Sequence, residues 1–339
     1  MENKRSRAPD VFVQVLVGPR GILKMGQIWL PLSLILAAGG RVDRPSRLGA
    51  ALWLLYAVLS KGLSAILVND LTDREIDKRA GKVRWITSLV PPTGIMIPVA
   101  LQLTGFLALL AAGGDIPVLA AFMVSAVIGI LYSVPPVRFK ERGIWGVFAY
   151  PLSAAILHVL VPWALFRPDP SLLFLLLTVV IVEKAVQILF HQVVDFDSDH
   201  EGKVRSFASA AGFNKAGRAL RIVLAAALAA DAALLFFIVR EMKASPPFAW
   251  LAGLACLLGM AASGLYVKII AKRLRTSTAL TDRLPWPYLG LSYTLFNALP
   301  PLLFVAQARR EPEMWVLAAL SALSLIGVSA NAIAYDPRR

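Results

Sequence analysis

Long apolar runs separated by short polar links recur along the whole chain. The run LGAALWLLYAVLSKGLSAILV at 48–68 is typical, and NDLTDREID follows it directly. A segment of about 20 apolar residues is long enough to cross a bilayer as a helix. The pattern predicts spans near 22–40, 48–68, 92–112, 115–133, 144–166, 171–194, 218–240, 248–270, 286–307 and 313–335. The ninth is broken by Pro285, Pro287, Pro300 and Pro301, and the third has room to begin earlier, near Trp85. A soluble helical bundle would need polar outer faces on its helices, and most of these segments have none. The expected fold is therefore an all-α polytopic membrane protein of nine to ten transmembrane helices. A single transmembrane domain is expected over 22–335, between a cytoplasmic segment at 1–21 and a tail at 336–339.

Composition agrees. Of 339 residues 58% are hydrophobic and 17% charged, with a mean hydropathy of +0.67; soluble domains are poorer in apolar and richer in charged residues. The formal net charge of +14 would suggest a nucleic-acid partner in a soluble chain, but here the bases lie in loops. Of the 35 Lys and Arg residues, 24 fall in one alternating set of segments and 8 in the other, while Lys61, Lys184 and Lys268 lie within spans. This bias puts both termini and the long loops 69–90, 134–143 and 195–217 in the cytoplasm. Membrane lipid is the expected surrounding, and no nucleic acid is expected. Cys256 is the only cysteine, which excludes an intrachain disulfide and a thiolate metal site. The basic N-terminus has a short apolar run with no small-residue cleavage site after it, so it does not read as a signal peptide.

The polar strings at two span ends carry the chemistry. In NDLTDREID, a continuing helix repeats Asn69, Asp73 and Asp77 at i, i+4 and i+8, and brings Asp70 onto the same face, whereas Glu75 points away. Helix C-termini favour cations, and cytoplasmic loops favour Lys and Arg. Four clustered oxygen donors there run against both tendencies and suit Mg²⁺. The alternative is a solvated helix end. HQVVDFDSDHEGKVRS ends the sixth span on the same side, with Asp195 and Asp199 at i and i+4. Bases follow each motif, Lys82 and Arg84 among those after the first and Lys203 and Arg205 after the second. Carboxylates for Mg²⁺ beside Lys and Arg are what a diphosphate requires. YSVPPVRFKERG at 132–143 ends the fourth span and adds Tyr132, Arg138 and Lys140; Lys24 joins this basic set. Taken alone, that loop also reads as an ordinary positive-inside turn.

These three stretches together resemble the UbiA superfamily of intramembrane prenyltransferases. NDLTDREID resembles its NDxxDxxxD signature, YSVPPVRFK its YSxxPxxxK loop, and DFDSD with GKVRS its second Asp-rich signature. The resemblance covers roughly residues 20–240. It implies a helical bundle around a central cavity, with two Mg²⁺–diphosphate motifs under a cytoplasmic cap. It implies a first metal site of Asn69, Asp70, Asp73 and Asp77 and a second of Asp195 and Asp199. It further implies transfer of a prenyl chain from a prenyl diphosphate to an acceptor, usually aromatic. The chain departs from the family pattern after the first motif, where it reads KVRWITSL, and in its count of ten spans.

The chemistry expected is ionisation of an allylic diphosphate, with Asp73 and Asp195 essential. Lys184, Gln187, His191 and Asp195 form one stripe on the sixth span. Such intramembrane polar groups are costly and often functional. Lys184 and His191 are candidates to orient an acceptor or move a proton; an interhelical packing pair is the other reading. His158 reads as a packing or hydrogen-bonding residue. Lys61 has three readings: pairing with a carboxylate, snorkelling, or lining a cavity. Two other activities fit parts of the pattern. A related terpene cyclase would use the same ionisation without an acceptor, and a transporter would use the carboxylates as an ion path. A transporter should carry its charges at the bilayer midplane in broken helices, whereas these lie at span ends.

Overall fold

A computed structural model describes residues 26–39, 46–79, 85–168, 170–196, 199, 204–241 and 294–334. The expected span at 248–270 lies outside the described residues. All regular structure among the described residues is helical. The helices are α1 (Trp29–Ala37), α2 (Arg47–Thr72), the short α3 (Arg74–Arg79), α4 (Pro91–Ala111), α5 (Ile116–Ser133), α6 (Ile144–Phe166) and α7 (Leu173–Val194), followed by α8 (Phe207–Ala211) and α9 (Phe213–Glu241). Near the chain end come α10 (Leu299–Ala308) and α11 (Trp315–Ala334). Among the described residues, six helices are long and apolar enough to cross a membrane: Arg47–Thr72, Pro92–Ala111, Ile116–Ser133, Ile144–Phe166, Pro170–Val193 and Phe213–Arg240. These coincide with six of the expected spans. Among the described residues of the expected ninth span, a shorter apolar helix, Leu295–Ala308, is found.

The chain forms two compact units, Ile35–Ala230 and a second made of Met1–Leu34 with Asp231–Arg339. In the second, Trp29 meets Phe304 edge-on at 6.2 Å, and Gln307 Nε2 donates to the Ser33 carbonyl at 2.9 Å. All the described candidate site residues lie in Ile35–Ala230.

In that unit α2 packs closely against α4, and small residues explain the approach. A Cβ on Gly105 would stand 2.6 Å from Ser60 Oγ and 3.3 Å from the Ala57 carbonyl. Ser64 Oγ donates to the Pro98 carbonyl at 2.9 Å. Small residues and serine hydrogen bonds are how helices associate where lipid supplies no hydrophobic drive. The opposite side of α4 presents Met96, Val99, Leu103, Leu107 and Leu110, all exposed at helical spacing. A continuous apolar stripe of this kind suits lipid.

Prolines set the local breaks. Pro91 and Pro92 occupy the first turn of α4, where their missing N–H groups cost nothing. The third span therefore begins at Pro91, after a 3₁₀ turn at Trp85–Ser88, and does not extend back to Trp85. Within α6, Ile156–Leu160 forms a π turn. Pro162 follows, and its ring clashes with the carbonyl four residues earlier, that of His158. The widened turn accommodates this. A second π turn, Thr294–Ala298, precedes Pro300 and Pro301 in the same way.

Candidate active site

The buried stripe of α2 runs Ala50, Leu54, Ala57, Lys61, Ser64, Leu67 and Asp70, so it carries straight into the first acidic motif. The helix ends at Asp73, with φ −94° and ψ 6°. The backbone ladder nevertheless continues, because Asp73 N–H donates to Asn69 O at 2.9 Å and Asp77 N–H to Asp73 O at 2.8 Å. Asn69, Asp73 and Asp77 thus stay in helical register, Asp70 is buried, and Glu75 is exposed.

The second motif repeats this backbone. Asp195 ends α7 with φ −86° and ψ 7°. Its N–H donates to His191 O at 2.9 Å, and Asp199 N–H donates to Asp195 O at 2.8 Å. Both motifs set an aspartate in the sparsely populated bridge region, where many active-site residues sit.

The 134–143 loop supplies bases to the first motif. Lys140 Nζ donates to both Asp73 carboxylate oxygens at 2.6 Å and to Asn69 Oδ1 at 2.8 Å. Arg138 donates to Asp73 Oδ1 at 2.9 Å and pairs with Glu141 at 2.7 Å. Ser133 Oγ donates to Asn69 Oδ1 at 3.1 Å. Burial pulls the Lys140 ammonium below the usual lysine range, and the hydrogen bond and charge of Asp73 oppose that shift.

Two glycines allow the loop to sit there. A Cβ on Gly146 would stand 2.8 Å from the Phe139 carbonyl and 3.1 Å from Lys140 Cα. Gly143, at φ +56°, forms a β-bridge to Ser206 and so ties this loop to the one after the second motif. Ser206 is buried and caps α8 through Ser209 N–H. Gln192 of α7 accepts from Ala208 N–H at 3.4 Å. Arg138 itself is held at φ +41°, a conformation that costs a non-glycine residue free energy and that clusters at functional sites.

A cavity of about 690 Å³ opens beside these groups, lined among others by Pro136, Arg138, Glu141, Arg142 and Arg205. Arg142 is aimed by its hydrogen bonds to the Pro136 and Val137 carbonyls, at 2.6 and 2.5 Å. Tyr132 lies within electrostatic reach of both Asp73 and Asp199.

A polar cluster lies deeper. The Tyr132 ring is 6.0 Å from that of Tyr150, whose hydroxyl donates to Gln187 Oε1 at 3.2 Å. Lys184 Nζ donates to Tyr150 OH at 3.4 Å and to Gln187 Oε1 at 3.3 Å. The expected stripe on α7 is thus split. Lys184 is buried and joined to Gln187, whereas His191 is exposed and meets Phe190 edge-on. Asp195 is exposed as well. Lys61 is buried and does not snorkel, and among the described residues it pairs with no carboxylate; it donates to Ser153 Oγ at 2.9 Å. Lys24, Lys82, Arg84 and Lys203, expected among the diphosphate contacts, lie outside the described residues.

Sequence reading missed Ser133, Arg142, Tyr150 and Ser153. Ser133 and Arg142 sit within the quoted YSVPPVRFKERG stretch and were within reach of it. Tyr150 and Ser153 gave no sequence signal, because their role depends on α6 packing against α7.

The donors of both motifs are all hard oxygens, which suit Mg²⁺. Among the described residues no group of three or more His, Cys, Asp or Glu side chains converges on one point. Mg²⁺ needs no such cage: it is commonly held by one or two carboxylates, water and substrate phosphate. The donor set fits the ion on those terms.

These features define a polytopic helical membrane protein with an acid-and-base site at the ends of its spans. Residues 28–281 match the UbiA prenyltransferase family, and the chain belongs to that family, a family of prenyltransferases. No curated protein matches the sequence. Among solved structures, the chain is similar to a UbiA homolog from Archaeoglobus fulgidus bound to GPP and Mg²⁺, with a TM-score of 0.56 at 15% identity. The same homolog bound to DMAPP and Mg²⁺ gives 0.55, and bound to Cd²⁺ 0.54, each also at 15% identity. Each alignment covers 95% of this chain and 99% of the other. At this identity the likeness concerns the fold.

Proposed function

We propose that the protein transfers a prenyl group from an allylic prenyl diphosphate to an acceptor, with release of diphosphate. The observation that carries this reading is the pair of matching Asp-terminated helix ends, the first held by Lys140 and Arg138 beside an arginine-lined cavity. Family membership and the GPP and DMAPP bound by the Archaeoglobus homolog support it. Mg²⁺ held by Asn69, Asp70, Asp73 and Asp77, and by Asp195 and Asp199, would neutralise charge developing on the leaving diphosphate.

The chain's own residues do the rest. Arg138, Arg142 and Arg205 offer planar forks to phosphate oxygens. Lys140, now on Asp73 and Asn69, is placed to shift onto phosphate once its carboxylate is engaged elsewhere. The spans exclude water from the allylic cation. An aromatic acceptor gives up its proton after attack, and the released diphosphate is a base at hand. Residues 22–335 act as one transferase unit of nine or ten spans, with both termini and the site facing the cytoplasm.

The test is Mg²⁺-dependent diphosphate release from a set of allylic prenyl diphosphates, with and without aromatic acceptors. Acceptor-dependent release is expected. Acceptor-independent terpene formation would favour the cyclase, and no release under any condition would refute both.

A further inference from the structure

We infer that Lys215, Arg218 and Arg221 of α9 bind the headgroup of an anionic phospholipid, and that this lipid steadies the second acidic motif. The three bases recur at i, i+3 and i+6, so they cover about 120° of one side of the helix over about 9 Å. All three are exposed. Among the described residues, none of them makes a hydrogen bond or an ion pair. Other bases near the acidic motifs are engaged. Arg138 and Lys140 turn inward onto Asp73, and Arg142 bonds to carbonyls of its own loop. The tendency of bases to gather on one side of a membrane accounts for their number, not for an outward row without partners.

Depth decides what the row meets. Between Arg221 and Arg240 the one charged side chain of α9 is Asp231, which is fully buried. That apolar stretch, residues 222–239, is about 27 Å long, close to the thickness of the hydrocarbon core. Lys215, Arg218 and Arg221 therefore stand at the level of the lipid phosphates. Ile222, Ala225, Ala226 and Ala229, all exposed, carry the same outward face on into the acyl region.

The chemistry selects an anionic lipid. Arg218 and Arg221 offer planar forks to phosphate oxygens, and Lys215 offers a compact point charge. Three unbalanced positive charges favour a headgroup of net negative charge over a zwitterion, whose own cation they repel. A metal-bound diphosphate does not suit the row, because α9 has no carboxylate before Asp231 to share its metal. The row also has a route to the second motif. Phe213, the first residue of α9, meets Phe196 edge-on, with ring centroids 5.5 Å apart and planes at 73°. Phe196 directly follows Asp195. A lipid that holds the end of α9 thereby holds the backbone at Asp195. The effect of the lipid on turnover rests on the prenyl-transfer reading; the lipid site does not.

The experiment uses the purified full chain in nanodiscs that hold phosphatidylglycerol and phosphatidylcholine in equal amounts. Native mass spectrometry then counts the lipids retained on release from the disc. The wild type should retain phosphatidylglycerol over phosphatidylcholine by about tenfold. The combined variant Lys215→Gln, Arg218→Gln, Arg221→Gln should bring the two lipids to parity, and each single substitution should lower the preference about twofold. Arg309→Gln with Arg310→Gln, which removes two exposed bases after α10, should leave it unchanged. Equal retention of both lipids by the wild type overturns the proposal, and this comparison needs no variant. A preference kept by the combined variant also overturns it; should that variant fail to fold, the single variants decide. Displacement of the lipid by excess glycerol phosphate would make this a site for free phosphate and equally overturn it. Mg²⁺-dependent diphosphate release is measured in the mixture and in phosphatidylcholine alone. Release should be severalfold faster in the mixture, and Phe213→Leu should remove that gain while keeping the lipid preference. Equal release in both lipids overturns the link to the second motif. If release fails in every disc while the preference holds, prenyl transfer falls and the lipid site stands.

Discussion

The two acidic motifs share a backbone and differ in company. Asp73 and Asp195 both end a long span at nearly the same φ and ψ, and each continues the ladder to an aspartate four residues on. Asp73 is mostly enclosed and held by Lys140 and Arg138 from one loop. Asp195 is exposed. One duplicated device thus has a mostly enclosed half held by two bases and a half whose first aspartate is exposed. At the first motif Lys140 and Arg138 already occupy the carboxylate.

The largest effect should come from removing the shared element. Asp73→Ala and Asp195→Ala should each lower diphosphate release by about a thousandfold or more, as expected when a charge-stabilising group at a reacting centre is lost. Near-wild-type turnover in either variant would break the pairing of the motifs. The difference between the halves predicts a second, smaller effect. Lys140→Met leaves Asp73 with Arg138 alone and should lower kcat/KM by about a hundredfold, with a melting temperature also reduced because a partly buried carboxylate has lost its main partner. A Lys140→Met protein with unchanged melting and turnover would show that the grip on Asp73 is incidental.

Gly146→Ala should act more gently. Its added methyl meets the Phe139 carbonyl at 2.8 Å, which forces the Lys140 turn away from Asp73. The cost is about 1–3 kcal/mol in stability, and turnover should fall about tenfold, because a misplacement near 1 Å is enough to reduce catalysis. Thermal melting and initial rates check both. Arg205→Met, at the exposed rim of the cavity, should raise KM for the prenyl diphosphate only a few-fold and leave kcat unchanged, since an exposed base mainly contributes uniform binding. A fall in kcat instead would move Arg205 into the reacting centre.

Much of this comparison was legible in the sequence, because it depends on local spacing. The six long spans followed from apolar length alone. The shared face of Asn69, Asp73 and Asp77 followed from the period of the helix, which the structure carries past the formal end of α2. Lys140 and Arg138 were flagged by the basic loop, but their bond to Asp73 joins residues more than sixty positions apart, and no local pattern encodes that. The α7 stripe shows the limit most clearly. Lys184 and His191 share a helical face, but burial by α6 reaches only the first. The partner of Lys61 was hidden for the same reason: Ser153 lies on another span and has no distinguishing neighbours in the sequence.

The central claim is that two aspartate-ended spans jointly activate an allylic diphosphate. It is tested most directly by diphosphate release from geranyl diphosphate with Mg²⁺, comparing the purified wild type with Asp73→Asn and Asp195→Asn. Each substitution keeps the side-chain shape and removes one charge. The account predicts Mg²⁺-dependent release by the wild type and near-complete loss in both variants. Loss in one variant with full activity in the other would contradict it.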